Sequence, residues 1–249
     1  MNNPSAAAPV AVPAVLIYSG ESVLSTNTNL LPQFWEQSDD FPFTAEDPSR
    51  WLRLFEILFA SAVLIAAAPL LLAVFISVKA GTPGPALFWQ YRVGKDRKPF
   101  RFVKFRTMYA DARQRFPHLY AYQYSRQDLD ELKFKVRGDP RVTPQGKWLR
   151  KSTLDELPNF WNVLTGEMAL VGPRPEIPEM LPYYNSETVL KFRVRPGITG
   201  LAQTSGRGCL GFHETVNMDM DYVKNRTFLL DLKILFTTLT KIVTRDGAF

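Results

Sequence analysis

ILFASAVLIAAAPLLLAVFISV, residues 57–78, runs for 22 residues without a charged side chain. At about 1.5 Å per residue such a helix reaches roughly 33 Å, enough to cross the hydrocarbon core of a bilayer. The ordinary alternative is the core helix of a soluble protein, but those rarely run so far without a charge. Arg53 and Glu56 precede the run and Lys79 follows it. Pro69, near its centre, has no N–H to give to the carbonyl of Ile65, and its ring presses on that turn. A kink or a break at Ala68-Pro69 is therefore expected. Two topologies follow. A bent helix crosses the membrane, or a re-entrant one turns at Ala68-Pro69 and returns, leaving Arg53 and Lys79 on the same side. Both flanks are weakly basic, so charge does not choose between them.

Outside this run the chain is polar. Its 249 residues carry 30 Lys+Arg against 24 Asp+Glu, a net charge of +6. The mean hydropathy of −0.12 excludes a polytopic membrane protein. With 46% hydrophobic and 22% charged residues, wholesale disorder is excluded too. A single cysteine, Cys209, rules out an intramolecular disulfide framework, and two histidines, His118 and His213, argue against a His-rich zinc site. Charge is distributed unevenly: residues 1–50 sum to −5 and the remainder to +11. Residues 1–48 lack the basic start of a secretory signal and mix Ala, Pro, Ser, Asn and acids, which predicts a poorly ordered acidic tail. Three parts follow: a tail at 1–48, a membrane helix at 49–80 and a head at 81–249.

The head begins with ALFWQYRV (86–93), a GKDRK turn and PFRFVKF (99–105), whose period-two aromatics predict a β-hairpin. Residues 108–132 are polar and helical in part, with an interruption near Pro117. Near the end, FLLDLKILFTTL (228–239) is an amphipathic helix suited to a membrane surface or to the head itself.

The acidic pair Asp155-Glu156 lies just behind a strongly basic run, 133–151. Thr153 stands three residues before Glu156, the spacing of a capping box, and Leu157, Phe160, Trp161 and Leu164 make an apolar stripe. On that wheel Asp155 points away from the stripe, so the pair is expected at a helix start, facing out of the core. The modest reading is that Glu156 caps and Asp155 complements the helix dipole. Several cations argue for more. Arg174 is held between two prolines in Gly172-Pro-Arg-Pro175, Arg195 opens Arg-Pro-Gly-Ile-Thr-Gly200, and Arg207 follows Ser205-Gly206. Lys104 and Arg106 close the second strand and are expected on one face by alternation. Guanidinium forks match phosphate oxygens, and glycine permits close backbone approach. Adjacent carboxylates cannot flank a glycosidic bond from both sides, which excludes a glycosidase. Carboxylates ringed by cations suit phosphoryl chemistry. No helix-turn-helix, finger or RNA-binding signature accompanies the basic residues, so a nucleic-acid partner is not expected.

These motifs resemble the bacterial sugar transferases, the monotopic polyprenyl-phosphate sugar-1-phosphate transferases. The resemblance is carried by KFRTM (104–108), DPRVTPQGKWLRKSTLDELPNFWNVLTGEMALVGPRPE (139–176), RPGITGLAQTSGR (195–207) and DYVKNRTFLLDLKIL (221–235), and covers about residues 50–245. It implies an α/β (α+β) monotopic membrane protein in the bacterial cytoplasmic (inner) membrane, with its catalytic head on the cytoplasmic face. It implies transfer of a sugar-1-phosphate from a UDP-sugar to undecaprenyl phosphate, release of UMP, and a need for Mg²⁺. Such a step initiates exopolysaccharide, O-antigen or other glycan synthesis. Under the same resemblance Asp155 is the nucleophile that forms a phosphosugar intermediate, Glu156 is tied to Mg²⁺ with Asp155 beside it, and Arg150 and Arg174 contact phosphate. Lys104, Arg106, Arg195 and Arg207 are expected to line the same pocket. The family's helix break is a Ser-Pro pair, where this chain has Ala68-Pro69. Rival readings are a non-catalytic membrane scaffold and a glycosyltransferase that releases UDP. Protein partners to look for are a second copy of the chain and later glycosyltransferases. The sugar itself is not legible, with glucose and galactose the leading guesses.

Overall fold

The computed structural model describes residues 49–122, 124–132, 138–206 and 210–244. The acidic tail, Cys209 and Arg207 lie outside the described residues. Helix α1, Arg50–Gly81, contains the apolar run. Ser49 caps it, accepting the N–H of Leu52 through its hydroxyl at 3.3 Å. Of the two outcomes expected at Ala68-Pro69, a break is absent: every residue from 50 to 81 stays helical. A proline inside a helix loses one hydrogen bond, and bending relieves its clash without any residue leaving helical dihedrals.

The hairpin forms as expected, with β1 (Leu87–Val93) antiparallel to β2 (Pro99–Phe105). Short helices α2 (Ala112–Arg115) and α3 (Arg126–Glu131) follow, then α4 (Pro144–Ser152). Thr143 caps α4 through the N–H of Gly146, and Pro144 occupies its first turn, where a missing N–H costs nothing. A 3₁₀ segment, Leu154–Asn159, leads into α5 (Phe160–Thr165). Strands β3 (Ala169–Val171) and β4 (Gly197–Thr199) pair in parallel, Ala169 opposite Gly197 and Val171 opposite Thr199. Between them run two 3₁₀ segments, Pro178–Tyr183 and Thr188–Arg193. Helices α6 (Leu201–Gly206), α7 (Phe212–Lys224) and α8 (Phe228–Thr244) complete the described chain.

Both halves of α1 pack on this one head. In the first half, Ala60 joins the core formed by Phe100, Phe102, Val163, Leu170 and Tyr222. In the second, Val74 and Val78 join Ala86, Phe105 and Leu149. Strand β2 serves both cores. Between the two contacts Ile65, Leu70 and Leu72 stay exposed, as do Leu58 ahead of the first and Phe75 and Ile76 on the outer face of the second. Exposed aliphatic surface of this extent suits contact with lipid rather than with water. Helix α8 turns Ile234 inward onto the head and leaves Phe228, Leu229, Phe236 and Leu239 exposed.

The first half of α1 is also held by charge. Glu56 is 3% exposed and accepts from Arg195 Nη2 at 2.9 Å and from the N–H of Leu170 at 3.3 Å. Arg53 adds 3.3 Å to the same carboxylate and gives another N–H to the carbonyl of Leu164.

Candidate active site

The acidic pair departs from its helical expectation. Thr153 adopts φ 59°, ψ 12°, a left-handed conformation that terminates α4, and its hydroxyl bonds the carbonyl of Ser152. The capping box therefore does not form. Asp155 and Glu156 lie in the 3₁₀ segment, where Pro158 has no N–H to continue an α-helix. With three residues per turn and β2 packed across it, Asp155 is turned inward. It is 5% exposed, contrary to the outward-facing expectation.

Glu156 and Asp155 have different surroundings. Arg174 donates to Glu156 from Nη2 at 2.6 Å and from Nη1 at 3.4 Å. That neighbouring carboxylate is the main reason Arg174 holds its proton more tightly than usual. Asp155 accepts no hydrogen bond from the described residues. Burial, and then the Glu156 charge, push it up from 3.8 to about 6, only partly offset by Lys104, Arg150 and Arg174.

The cations come from several elements. Lys104 lies over the Phe88 ring, 5.8 Å from its centre. Burial pushes it down to about 8; Asp155 opposes this, while Arg92 and Arg150 add to it. Arg150, in the last turn of α4, donates from Nε to the hydroxyl of Thr107 at 3.0 Å. Arg174 follows β3 on a loop whose closeness to the Arg195-Pro-Gly turn requires glycine. A Cβ on Gly172 would collide with the carbonyl of Arg195.

Arg92 belongs to this group and was not singled out from the sequence. It donates to the carbonyl of Pro175 at 3.1 Å, lies over Phe102, and is lowered to about 10 by burial and then by Arg174. A signal was available. The register places Phe88 opposite Lys104 and Arg92 opposite Phe100, so Arg92 and Lys104 share a face of the hairpin.

Arg106 and Arg195 are not brought to the dyad. Arg106 is buried and donates to the carbonyls of Pro85 and Thr82 at 2.6 and 2.9 Å and to the Thr82 hydroxyl at 2.9 Å. It clamps the turn leaving α1. It lies beyond the end of β2, so strand alternation no longer governs its direction. Arg195 is spent on Glu56 and on the carbonyl of Met168. Arg207 lies outside the described residues.

The assembled group is thus two carboxylates among Lys104, Arg92, Arg150 and Arg174, an excess of two positive charges when all are ionised. That balance suits a dianionic diphosphate. Among the described residues no group of three or more His, Cys, Asp or Glu could hold a metal ion. A hard cation needs less: one or two carboxylates suffice when substrate phosphates and water supply the rest. The buried Asp155 carboxylate, without a hydrogen bond, fits such a role; a cation reaching Glu156 would share it with Arg174.

Comparison with known proteins identifies the family. Residues 48–245 match the model of the bacterial sugar transferase family, and the chain belongs to that family. It is 39% identical over 206 residues to an undecaprenyl-phosphate galactose phosphotransferase of Salmonella typhimurium, covering 82% of this chain and 43% of that protein. It is 37% identical over 207 residues to a UDP-glucose:undecaprenyl-phosphate glucose-1-phosphate transferase of Caulobacter vibrioides, covering 79% and 71%. It is 36% identical over 197 residues to the exopolysaccharide production protein ExoY of Rhizobium meliloti, covering 79% and 87%. The chain thus spans less than half of the Salmonella relative and most of ExoY.

Proposed function

We propose that the chain transfers a sugar-1-phosphate from a UDP-sugar to undecaprenyl phosphate and releases UMP. The observation that carries this reading is Asp155, a buried carboxylate set among four cations in a chain whose relatives carry undecaprenyl-phosphate sugar phosphotransferase names. An Asp155 carboxylate oxygen attacks the β-phosphorus of the donor. The bond from that phosphorus to the oxygen bridging the α-phosphate breaks, and UMP leaves with the bonding pair. An oxygen of the polyprenyl phosphate then attacks the same phosphorus, and the Asp155 oxygen departs as a carboxylate. Lys104, Arg92, Arg150 and Arg174 offset the phosphate charge in both halves. Glu156, oriented by Arg174, and Asp155 are the residues that would hold Mg²⁺, which would supply further neutralisation of phosphate charge.

The membrane arrangement belongs to the same proposal. Since both halves of α1 pack on one head, the reading favoured is a re-entrant helix, with head and helix ends together on the cytoplasmic side of a bacterial inner membrane. The exposed apolar face of α8 would rest on that surface. There a water-soluble donor and a lipid acceptor can reach one site.

The test is Mg²⁺-dependent UMP release from a panel of UDP-sugars with undecaprenyl phosphate. Asp155→Asn should release neither UMP nor lipid product, and normal turnover in that variant would sink the nucleophile. Release of UDP instead would identify a transferase that moves the sugar alone. No release from any sugar would favour a scaffold.

A further inference from the structure

Two buried polar atoms in the described structure lack a hydrogen-bond partner and lie on facing elements next to the phosphate site. One is Arg92 Nε on β1. The other is Glu179 Oε2 on the Pro178–Tyr183 segment, which packs against β1. Glu179 is 4% exposed. A buried carboxylate oxygen with nothing to accept from is costly, and a cluster that retains one usually has a use for it.

Glu156 and Glu176, two other carboxylates nearby, are engaged. Glu156 is held by Arg174. Glu176 accepts from the N–H of Ile177 at 2.9 Å and from the Tyr184 hydroxyl at 2.8 Å, with Lys191 Nζ at 3.9 Å. Glu179 keeps an open oxygen on the segment that packs against β1, and the surroundings tie it there. The Arg92 charge acts on Glu179, and Glu179 and Arg92 both act on the Tyr122 hydroxyl. Arg174 is the leading charge acting on Arg92, whereas Glu179 is not among the leading influences on Asp155. Arg92 therefore joins the phosphate cluster to Glu179, which stands one step further from Asp155.

Tyr122 completes the group. It has a positive φ of 48°, unusual for a bulky residue. It is held by the Tyr183 hydroxyl, which donates to the Tyr122 carbonyl at 3.0 Å and accepts the N–H of Tyr124 at 2.9 Å. Tyr183 ends the segment that carries Glu179, so the same short stretch places both side chains.

We propose that Glu179, Arg92 and Tyr122 form a hydroxyl-reading subsite, in which the Glu179 carboxylate accepts from, and Arg92 Nε donates to, neighbouring hydroxyls of a UDP-sugar donor. This deepens the function proposed above and rests on it for the identity of the donor. A carboxylate with an open oxygen beside a guanidinium with an open N–H is complementary to a vicinal diol, each hydroxyl being both donor and acceptor. A donor has two such sources, its hexose and its ribose.

The experiment measures equilibrium binding to the full chain in nanodiscs and does not depend on turnover. Probes are UDP-glucose, UDP-galactose, their hexose deoxy analogues and their 2′- and 3′-deoxyribose analogues. Glu179→Ala should weaken the better natural donor by about tenfold to a hundredfold, the scale of a lost charged hydrogen bond. One deoxy analogue should lose as much with the unaltered chain and nothing further with Glu179→Ala. A hexose analogue behaving so places the sugar in the subsite, and a ribose analogue places the nucleoside. Glu179→Gln, which keeps shape and one acceptor, should recover part of the affinity if Glu179→Ala unfolds the segment. Additive losses for every analogue would overturn the subsite even if UMP is released normally. UMP absent from every donor, with coupling intact, would overturn the reaction and leave the subsite standing.

Discussion

Arg174 holds Glu156 by both carboxylate oxygens, at 2.6 and 3.4 Å, while Asp155, one residue earlier, receives no such bond from the described residues. Two adjacent acids are thereby driven apart. Glu156 is gripped by its guanidinium, and Asp155 is left with a raised affinity for a proton. Environments that separate a pair of titratable groups in this way also separate their roles. Under the proposed reaction, Asp155 would be the group that attacks and Glu156 the oriented one.

The pH profile should be a bell. Asp155 must be ionised to attack, and burial with the Glu156 charge sets it at about 6. Lys104 must be protonated to offset phosphate, and burial sets it at about 8. kcat/KM for UMP release should therefore rise through about pH 6 and fall through about pH 8. Lys104→Arg should carry the alkaline limb upward. A profile flat across both limbs would refute these assignments.

Asp155 should cost the fold stability when ionised. Its folded value is raised from 3.8 to about 6, so between these values the folded chain keeps a proton that the unfolded chain has lost. Stability therefore falls as pH rises through that window. Asp155→Asn should raise the thermal midpoint at about pH 7, and the gain should shrink toward about pH 4. Thermal melts of both proteins at the two pH values measure it.

Arg174→Lys should lower kcat/KM for the donor by at least about tenfold, since a single ammonium cannot reproduce a two-pronged hold on Glu156. The thermal midpoint should change little, because the Arg174 side chain is itself partly exposed and a lysine keeps a charge beside Glu156. Equal turnover in the lysine variant would show that the fork is dispensable.

The Glu56–Arg195 pair should act on stability alone. Arg195→Met leaves Glu56 buried with less compensation, and such losses cost about 3–5 kcal/mol. Chemical unfolding should show a drop toward that size, moderated by Arg53, while KM for the donor stays unchanged. Glu56→Gln combined with Arg195→Met should be milder than the two losses added. A raised KM would instead return Arg195 to the substrate pocket.

Much of this molecule could be read from its sequence. The apolar run, the hairpin and the collinear motifs each carry a local signal: an uncharged length, a period of two, a Gly-Pro frame around an arginine. The direction of Asp155 was not readable, because it depends on a left-handed Thr153 and a 3₁₀ turn that helical spacing cannot anticipate. The fates of Arg106 and Arg195 were hidden for a different reason. Their partners, Thr82, Pro85 and Glu56, are more than twenty residues away, and a guanidinium suited to phosphate is equally suited to a carbonyl or a carboxylate. Arg92 was legible in principle through the register it shares with Lys104, but only after the hairpin turn is fixed.

A helix anchored at both ends to one rigid body cannot choose its own inclination. An ordinary transmembrane segment answers a thicker or thinner bilayer by tilting. In this chain Ala60 and Glu56 fasten one half of the helix, and Val74 and Val78 the other, to cores that share strand β2. Hydrophobic mismatch would therefore be met by the lipid around it or by the whole head rocking, and any such rocking would carry Asp155 with it relative to the headgroups.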